Sequence, residues 1–155
     1  MHIEPKILTI DEIVAKGTEF TDDVCYSGTS GQELYDRPLE EGGKLISGLV
    51  YEKNRNGKVV YYAHYINGIE EKEYVEFFEN GLPSLYRQII KGTTHGIYIS
   101  WHKNRQIKMM AAYKYGFKKS YKEWNEYGNV ISEQLEAGAF EKEMIEKYDN
   151  WSAHN

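Results

Sequence analysis

One cysteine, five histidines and a few acidic clusters are the groups in this chain that could do chemistry. Cys25 would need a histidine beside it to act as a nucleophile. His2, His64, His95, His102 and His154 are scattered, with no spacing that marks a Cys–His pair. His95 and His102 lack a cysteine or carboxylate at zinc-ligand spacing. Gly28-Thr29-Ser30-Gly31 lacks the full glycine pattern and the Lys-Ser/Thr ending of a phosphate loop. Glu70, Glu71 and Glu73 could pair as acid and base, but acid runs at the junction between two structural units are ordinarily solvated. The expectation is a protein without catalytic residues, metal or cofactor.

The elements that must position these groups are organised by a repeat. Gly57, Gly81, Arg105 and Gly128 follow one another at steps of 24, 24 and 23 residues. Gly68, Gly92, Gly116 and Gly138 form a second series at steps of 24, 24 and 22. Four units align, beginning at Leu49, Glu73, Ile97 and Ser120. Each reads as two short strands around a tight turn. Asn56-Gly57 and Asn80-Gly81 are expected to form two-residue hairpin turns, and Arg105 to occupy a strained version of the same turn. Fourteen tyrosines, fourteen glycines and only three prolines suit such an array. The fold class expected is mainly β: an elongated, twisted antiparallel sheet of repeated hairpins with short helices capping both ends. Residues 48–135 are expected to form about eight strands.

Strand alternation sorts the side chains to two faces. On the first strand of each unit, one face takes Val50, Tyr74, Tyr98 and Tyr121, with Glu52, Glu76, Ser100 and Glu123. The other takes Tyr51, Val75, Ile99 and Lys122, with Lys53, Phe77, Trp101 and Trp124. The second strand contributes the columns Val59, Pro83, Ile107, Val130 and Tyr61, Leu85, Met109, Ser132. Pro83 lacks a donor and is expected at an edge, a bulge or a non-bonded site. Phe77, Trp101 and Trp124 are expected together on one face and largely buried.

Residues 1–42 form an N-terminal cap with a degenerate first unit, in which Leu34-Tyr35 and Lys44-Leu45-Ile46 read as strands. Thr9 and Glu12 make a capping box for a helix over about 10–16. Residues 43–138 hold the repeats. Phe140, Met144, Tyr148 and Trp151 recur at helical spacing, which predicts an amphipathic helix over about 139–150 within the C-terminal segment 139–155.

The net charge of −5 is segregated. Residues 1–41 carry −7, residues 42–132 carry +6, and residues 133–155 carry −4. No acid lies between Glu79 and Glu123, where nine Lys and Arg occur. Such a distribution can steer a charged partner. No 18-residue apolar run and no secretory-type start are visible, and a lone cysteine excludes an internal disulfide, so a cytoplasmic location is expected.

Repeats near 23 residues with the pattern Tyr-x-x-aromatic-x-x-Asn-Gly and a further glycine resemble variant MORN repeats. Gly43-Lys44-Leu45-Ile46-Ser47-Gly48-Leu49-Val50 and Glu73-Tyr74-Val75-Glu76-Phe77-Phe78-Glu79-Asn80-Gly81 resemble the bacterial YwqK-like antitoxin family. The resemblance covers about residues 43–138. It implies an elongated antiparallel sheet, no enzymatic activity and an immunity role against a cognate protein toxin, often a nuclease or a nucleobase deaminase.

Such a toxin holds phosphates and tends to be basic. Acidic residues Asp22, Asp23, Asp36, Glu40 and Glu41 are therefore candidates to fill its groove. Tyr74, Glu76, Tyr98 and Glu123 form a second candidate toxin-binding surface. No nucleic-acid partner is expected. The alternative is a peripheral membrane or scaffold module that meets anionic lipid through the basic stretch 80–122.

Overall fold

The computed structural model describes residues 4–21, 24–27 and 33–155, with Cys25–Ser27 as backbone. Asp22 and Asp23, and the loop Gly28-Thr29-Ser30-Gly31, lie outside the described residues. The elements, in chain order, are α1 (Ile10–Lys16), β1 (Thr18–Glu19), β2 (Cys25–Ser27), β3 (Glu33–Tyr35), a 3-10 turn (Leu39–Glu41), β4 (Gly48–Lys53) and β5 (Val59–Ile66). They continue with β6 (Ile69–Phe77), β7 (Pro83–Ile90), β8 (Thr93–Trp101), β9 (Ile107–Lys114), β10 (Phe117–Trp124), β11 (Val130–Gln134) and α2 (Ala139–Ala153).

Strands β4 to β11 form one antiparallel meander in sequence order, with β1 added in parallel at the β4 edge. At about 4.8 Å between strands, the nine span roughly 40 Å. The expected mainly β architecture, with a helix near each end, is what the chain adopts. Among the described residues no helix is long and apolar enough to cross a membrane.

Two kinds of turn alternate along the sheet. The mirror-image two-residue turns lie between units, at Asn67-Gly68, Lys91-Gly92 and Tyr115-Gly116, where both residues have positive φ. The turns within units are longer, which corrects the expectation for Asn56-Gly57 and Asn80-Gly81. In the turn 54–58 the Asn54 amide donates to the Lys58 carbonyl at 2.9 Å, and the Gly57 amide donates to the Asn54 carbonyl at 3.0 Å. The Asn54 side-chain oxygen also accepts from the amides of Asn56 and Lys58. Asn56 stays out of the left-handed region, and only Gly57 enters it, at φ 76°. Residues 78–82, 102–106 and 125–129 repeat the two backbone bonds.

A bulge follows each of these turns. Pairing shifts between Glu52 and Lys53, Glu76 and Phe77, Ser100 and Trp101, and Glu123 and Trp124. Val60, Ser84, Lys108 and Ile131 are the extra residues on the opposite strands. Each bulge puts the column Val59, Pro83, Ile107, Val130 opposite Phe77 and its equivalents, and the column Tyr61, Leu85, Met109, Ser132 opposite the Glu76 column. Simple alternation would keep Val59 and Tyr61 on one face. Pro83 sits beside such a bulge, where a missing donor is tolerated.

The N-terminal segment wraps the first edge of the sheet. Ile7, Leu8, Ile10 and Ile13 pack on one face against Leu49, Tyr51, Val59, Tyr62, Val75 and Tyr86. Thr9 and Glu12 make both bonds of the capping box that opens α1. Beyond β1 the chain crosses to the other face. There Val24, Leu34 and Ile46 cover Val50, Ala63 and Tyr65. The 33–36 and 44–46 segments lie antiparallel, joined by bonds from the Asp36 amide to the Lys44 carbonyl and from the Ile46 amide to the Leu34 carbonyl. The tyrosine-bearing face is thus a second core over its first strands. The absence of side-chain volume at Ala63 is what lets Leu34 and Ile46 close on it.

Candidate interaction surface

The N-terminal cover ends after the first strands, and this decides which repeats stay open. Phe77 and Trp101 pack against the edge of the core under α1. Trp124 lies beyond it. All three side chains are half-buried, not largely buried as expected, because the segment 7–13 is too short to reach the later units.

Two hollows result on this apolar face. One, of about 360 Å³, is lined by Leu82, Pro83, Trp101, His102 and Arg105. The next, of about 420 Å³, is lined by Gln106, Ile107, Lys122, Trp124 and Gly128. They are one repeat apart: Leu82 corresponds to Gln106, Pro83 to Ile107, Trp101 to Trp124 and Arg105 to Gly128. His102 Nε2 donates to the Trp124 carbonyl at 2.9 Å and ties the two units together. The Lys122 ammonium lies 5.5 Å from the Trp124 ring centroid. Arg105 has φ 75° where its three counterparts are glycine. The left-handed strain foreseen for Arg105 is therefore present.

The tyrosine face is built differently. Tyr61 stacks on Tyr74 at 5.4 Å, and the Arg87 guanidinium covers Tyr74 at 4.5 Å. The Tyr74 hydroxyl donates to Glu76 Oε1 at 2.7 Å. Burial, reinforced by this bond to the Glu76 carboxylate, pushes the Tyr74 hydroxyl well above its ordinary pKa. Burial also raises the Glu70 carboxyl, against the opposing pull of Arg87 at 3.8 Å. Tyr98 lies 5.7 Å from Tyr113, further along the same face. Tyr74, Glu76, Tyr98 and Glu123 do share this face, and only Tyr74 and Glu76 touch by a hydrogen bond.

The acidic candidates are less gathered. Asp36 accepts from the Lys44 amide at 2.9 Å and lies 3.7 Å from Arg37. Glu40 and Glu41 are exposed on the 3-10 turn. The nine bases of the stretch 80–122 are divided among environments. Arg87 and Lys118 lie against tyrosines of one face, and Lys122 lies on the other. Lys114 is tied to Asp149 of α2 at 2.8 Å. Sequence reasoning missed the tandem hollows. Their signal was Trp101 and Trp124 at equivalent positions, beyond the reach of a short apolar N-terminal segment.

Helix α2 docks on the turn between β9 and β10. Tyr148 stacks on Tyr115 at 5.4 Å, and Phe140 meets Phe117 edge-on at 6.1 Å. The Tyr115 hydroxyl donates to Asp149 Oδ1 at 2.7 Å. Its expected apolar stripe is only partly covered, and Trp151 remains 64% exposed.

The described histidines have structural partners, and His2 lies outside the described residues. His95 Nδ1 accepts from the Tyr115 amide, and His64 lies 3.3 Å from Glu73. Among the described residues no group of three or more His, Cys, Asp or Glu is arranged to hold a metal ion.

Against known proteins, 57 residues of the chain are 39% identical to the immunity protein YwqK of Bacillus subtilis (strain 168), over 37% of this chain and 36% of that protein. The match spans about a third of the relative's length. No family model matches the chain, and no solved structure matches it.

Proposed function

We propose that this chain is an immunity protein that neutralises a cognate protein toxin by binding it. The observation that carries this reading is the partial similarity to an immunity protein. The units are variant MORN repeats, each contributing a hairpin to one pre-formed sheet. A sheet of this kind binds with little ordering cost, since its backbone is fixed before the partner arrives. No turnover is required: the protein occludes the active site of a nuclease or deaminase toxin in the cytoplasm of the producing cell. Asp22, Asp23, Asp36, Glu40 and Glu41 act as a phosphate-like acidic surface. Tyr74, Glu76, Tyr98 and Glu123 provide a second contact.

The test is co-expression with the toxin reading frame adjacent to the gene. Protection should scale with the molar ratio and saturate near one protein per toxin. Replacing Asp36, Glu40 and Glu41 together by lysine should slow association, most strongly at low salt. Full protection at far below stoichiometric amounts would mean turnover and would overturn the binding mechanism. No protection against any neighbouring product would overturn the immunity reading itself.

A further inference from the structure

We infer that the tandem hollows of the apolar face are a docking site for an acidic amphipathic helix of a partner protein. The inference rests on the reading of this chain as a protein-binding module, and it names the surface and the chemistry of its occupant.

Three observations meet here. The hollows repeat, each with a half-buried tryptophan and an apolar neighbour from the adjacent strand, Pro83 in one and Ile107 in the other. Equivalent points two strands apart are separated by about 10 Å. Apolar side chains at positions i and i+7 of one helix lie about 10.5 Å apart, so one helix face can fill both hollows.

Each hollow has one cation in its lining, Arg105 in the first and Lys122 in the second. Arg105 is exposed and has no hydrogen-bonded or ion-paired side-chain partner among the described residues. Lys122 is only loosely matched to Glu133 at 4.0 Å. Glutamates on the flank of the incoming helix would find these two groups.

Arg105 supplies the third observation. It keeps a left-handed backbone, at φ 75°, in a turn whose other three copies use glycine. A residue held in such a conformation stores strain, and strain of this kind concentrates at binding sites. Arg105 lines the first hollow, where its guanidinium can meet a carboxylate beside the apolar anchor. A stacked nucleobase is a poorer occupant, because Lys122 already lies over the Trp124 ring.

The test uses the full chain labelled with ¹⁵N. One probe is a 15-residue acetylated Glu/Ala helix with leucines at positions 4 and 11. A second has every glutamate replaced by lysine, and a third is an oligothymidine of ten nucleotides. The acidic helix should shift the indole N–H signals of Trp101 and Trp124 saturably, and the lysine helix should not. Arg105→Gly should weaken binding of the acidic helix about threefold or more, the effect of losing one exposed charge contact, without lowering the unfolding midpoint.

Equal binding of the two peptides, tighter binding of the oligonucleotide, or unchanged affinity in Arg105→Gly would each overturn the inference. In the toxin assay, full protection by the double variant Arg105→Glu, Lys122→Glu would remove this docking site and leave the immunity reading standing. Failure of the unsubstituted protein to protect would remove that reading whatever the peptides do.

Discussion

Arg105→Gly is expected to stabilise the protein. The four within-unit turns share the same two backbone hydrogen bonds, and Arg105 alone among the residues at the left-handed position carries a Cβ. That Cβ crowds the following carbonyl, at a cost of about 1–2 kcal/mol. Glycine relieves the crowding but loses about 0.5–1 kcal/mol through the freedom of its unfolded chain. The exposed Arg105 side chain has no hydrogen-bonded or ion-paired partner among the described residues, so no contact energy offsets the gain. The net is a stabilisation of about 0.5–1 kcal/mol, or a rise in Tm of about 1–4 °C for a chain of this size. Urea unfolding followed by tyrosine and tryptophan fluorescence would measure it, with the m-value checking that compactness is unchanged. Gly57→Ala is the matched control. Its new Cβ meets open space, so the same backbone strain should appear with opposite sign, a loss of about 1 kcal/mol. If Arg105→Gly lowers the midpoint while Gly57→Ala behaves as expected, the arginine makes a stabilising contact and the strain argument is wrong.

The remaining expectations concern packing and the C-terminal helix. Gly96→Ala should cost about 2–3 kcal/mol in urea unfolding, because φ is 115° and a Cβ would displace the Gln88 side chain that accepts from the Ile97 amide; a loss under about 0.5 kcal/mol would mean that the irregular pairing of β7 with β8 between Arg87 and Ile89 relaxes freely. Trp101→Ala should destabilise more than Trp124→Ala, and both should fall below the roughly 3–5 kcal/mol of a fully buried aromatic, since only Trp101 reaches the core under α1; the reverse order would place the end of the N-terminal cover wrongly. Bonds from Lys114 and Tyr115 hold the Asp149 carboxyl below its ordinary value of 3.8. Its contribution is therefore fully present above that value and lost as pH falls through the lower folded pKa. The Tyr115 and Tyr148 ring signals should shift there in the wild type, reporting a weakened contact with α2 that the ring stacking still holds, and Asp149→Asn should remove the acid-dependent shift; an acid-induced shift that persists unchanged in Asp149→Asn would contradict this.

The repeat was legible because glycine marks the left-handed positions of a turn, and a period of 24 in glycine fixes strand order in a meander. The bulges were not legible. Val59 and Tyr61 have the spacing of residues on one face, and nothing in Val60, Ser84, Lys108 and Ile131 shares a chemistry that marks an extra residue. A bulge is set by the twist beside a turn, which belongs to two strands together. The kind of turn was misread for a related reason. Asn-Gly favours the mirror-image turn in isolation, but here the pair sits inside a longer loop closed by the same two backbone bonds whether it opens on Asn54 or on Phe78, and the Asn54 side chain only adds to them.

The site depended on something further from local sequence: how far the N-terminal segment reaches. Tryptophans in a repeat column read as core when every unit is covered alike. Here β1 ties the chain to the β4 edge, and the residues on either side of it can span only the nearest strands. The column of Val59, Pro83 and Ile107 is therefore core in the first unit and lines open hollows in the later ones, while Ile99 beside it stays buried. Val59 is 5% exposed at the position where Ile107 lines an open hollow. A repeat protein gains a binding surface in this way without any change in its repeat. The length of the cover decides where folding chemistry ends and recognition begins.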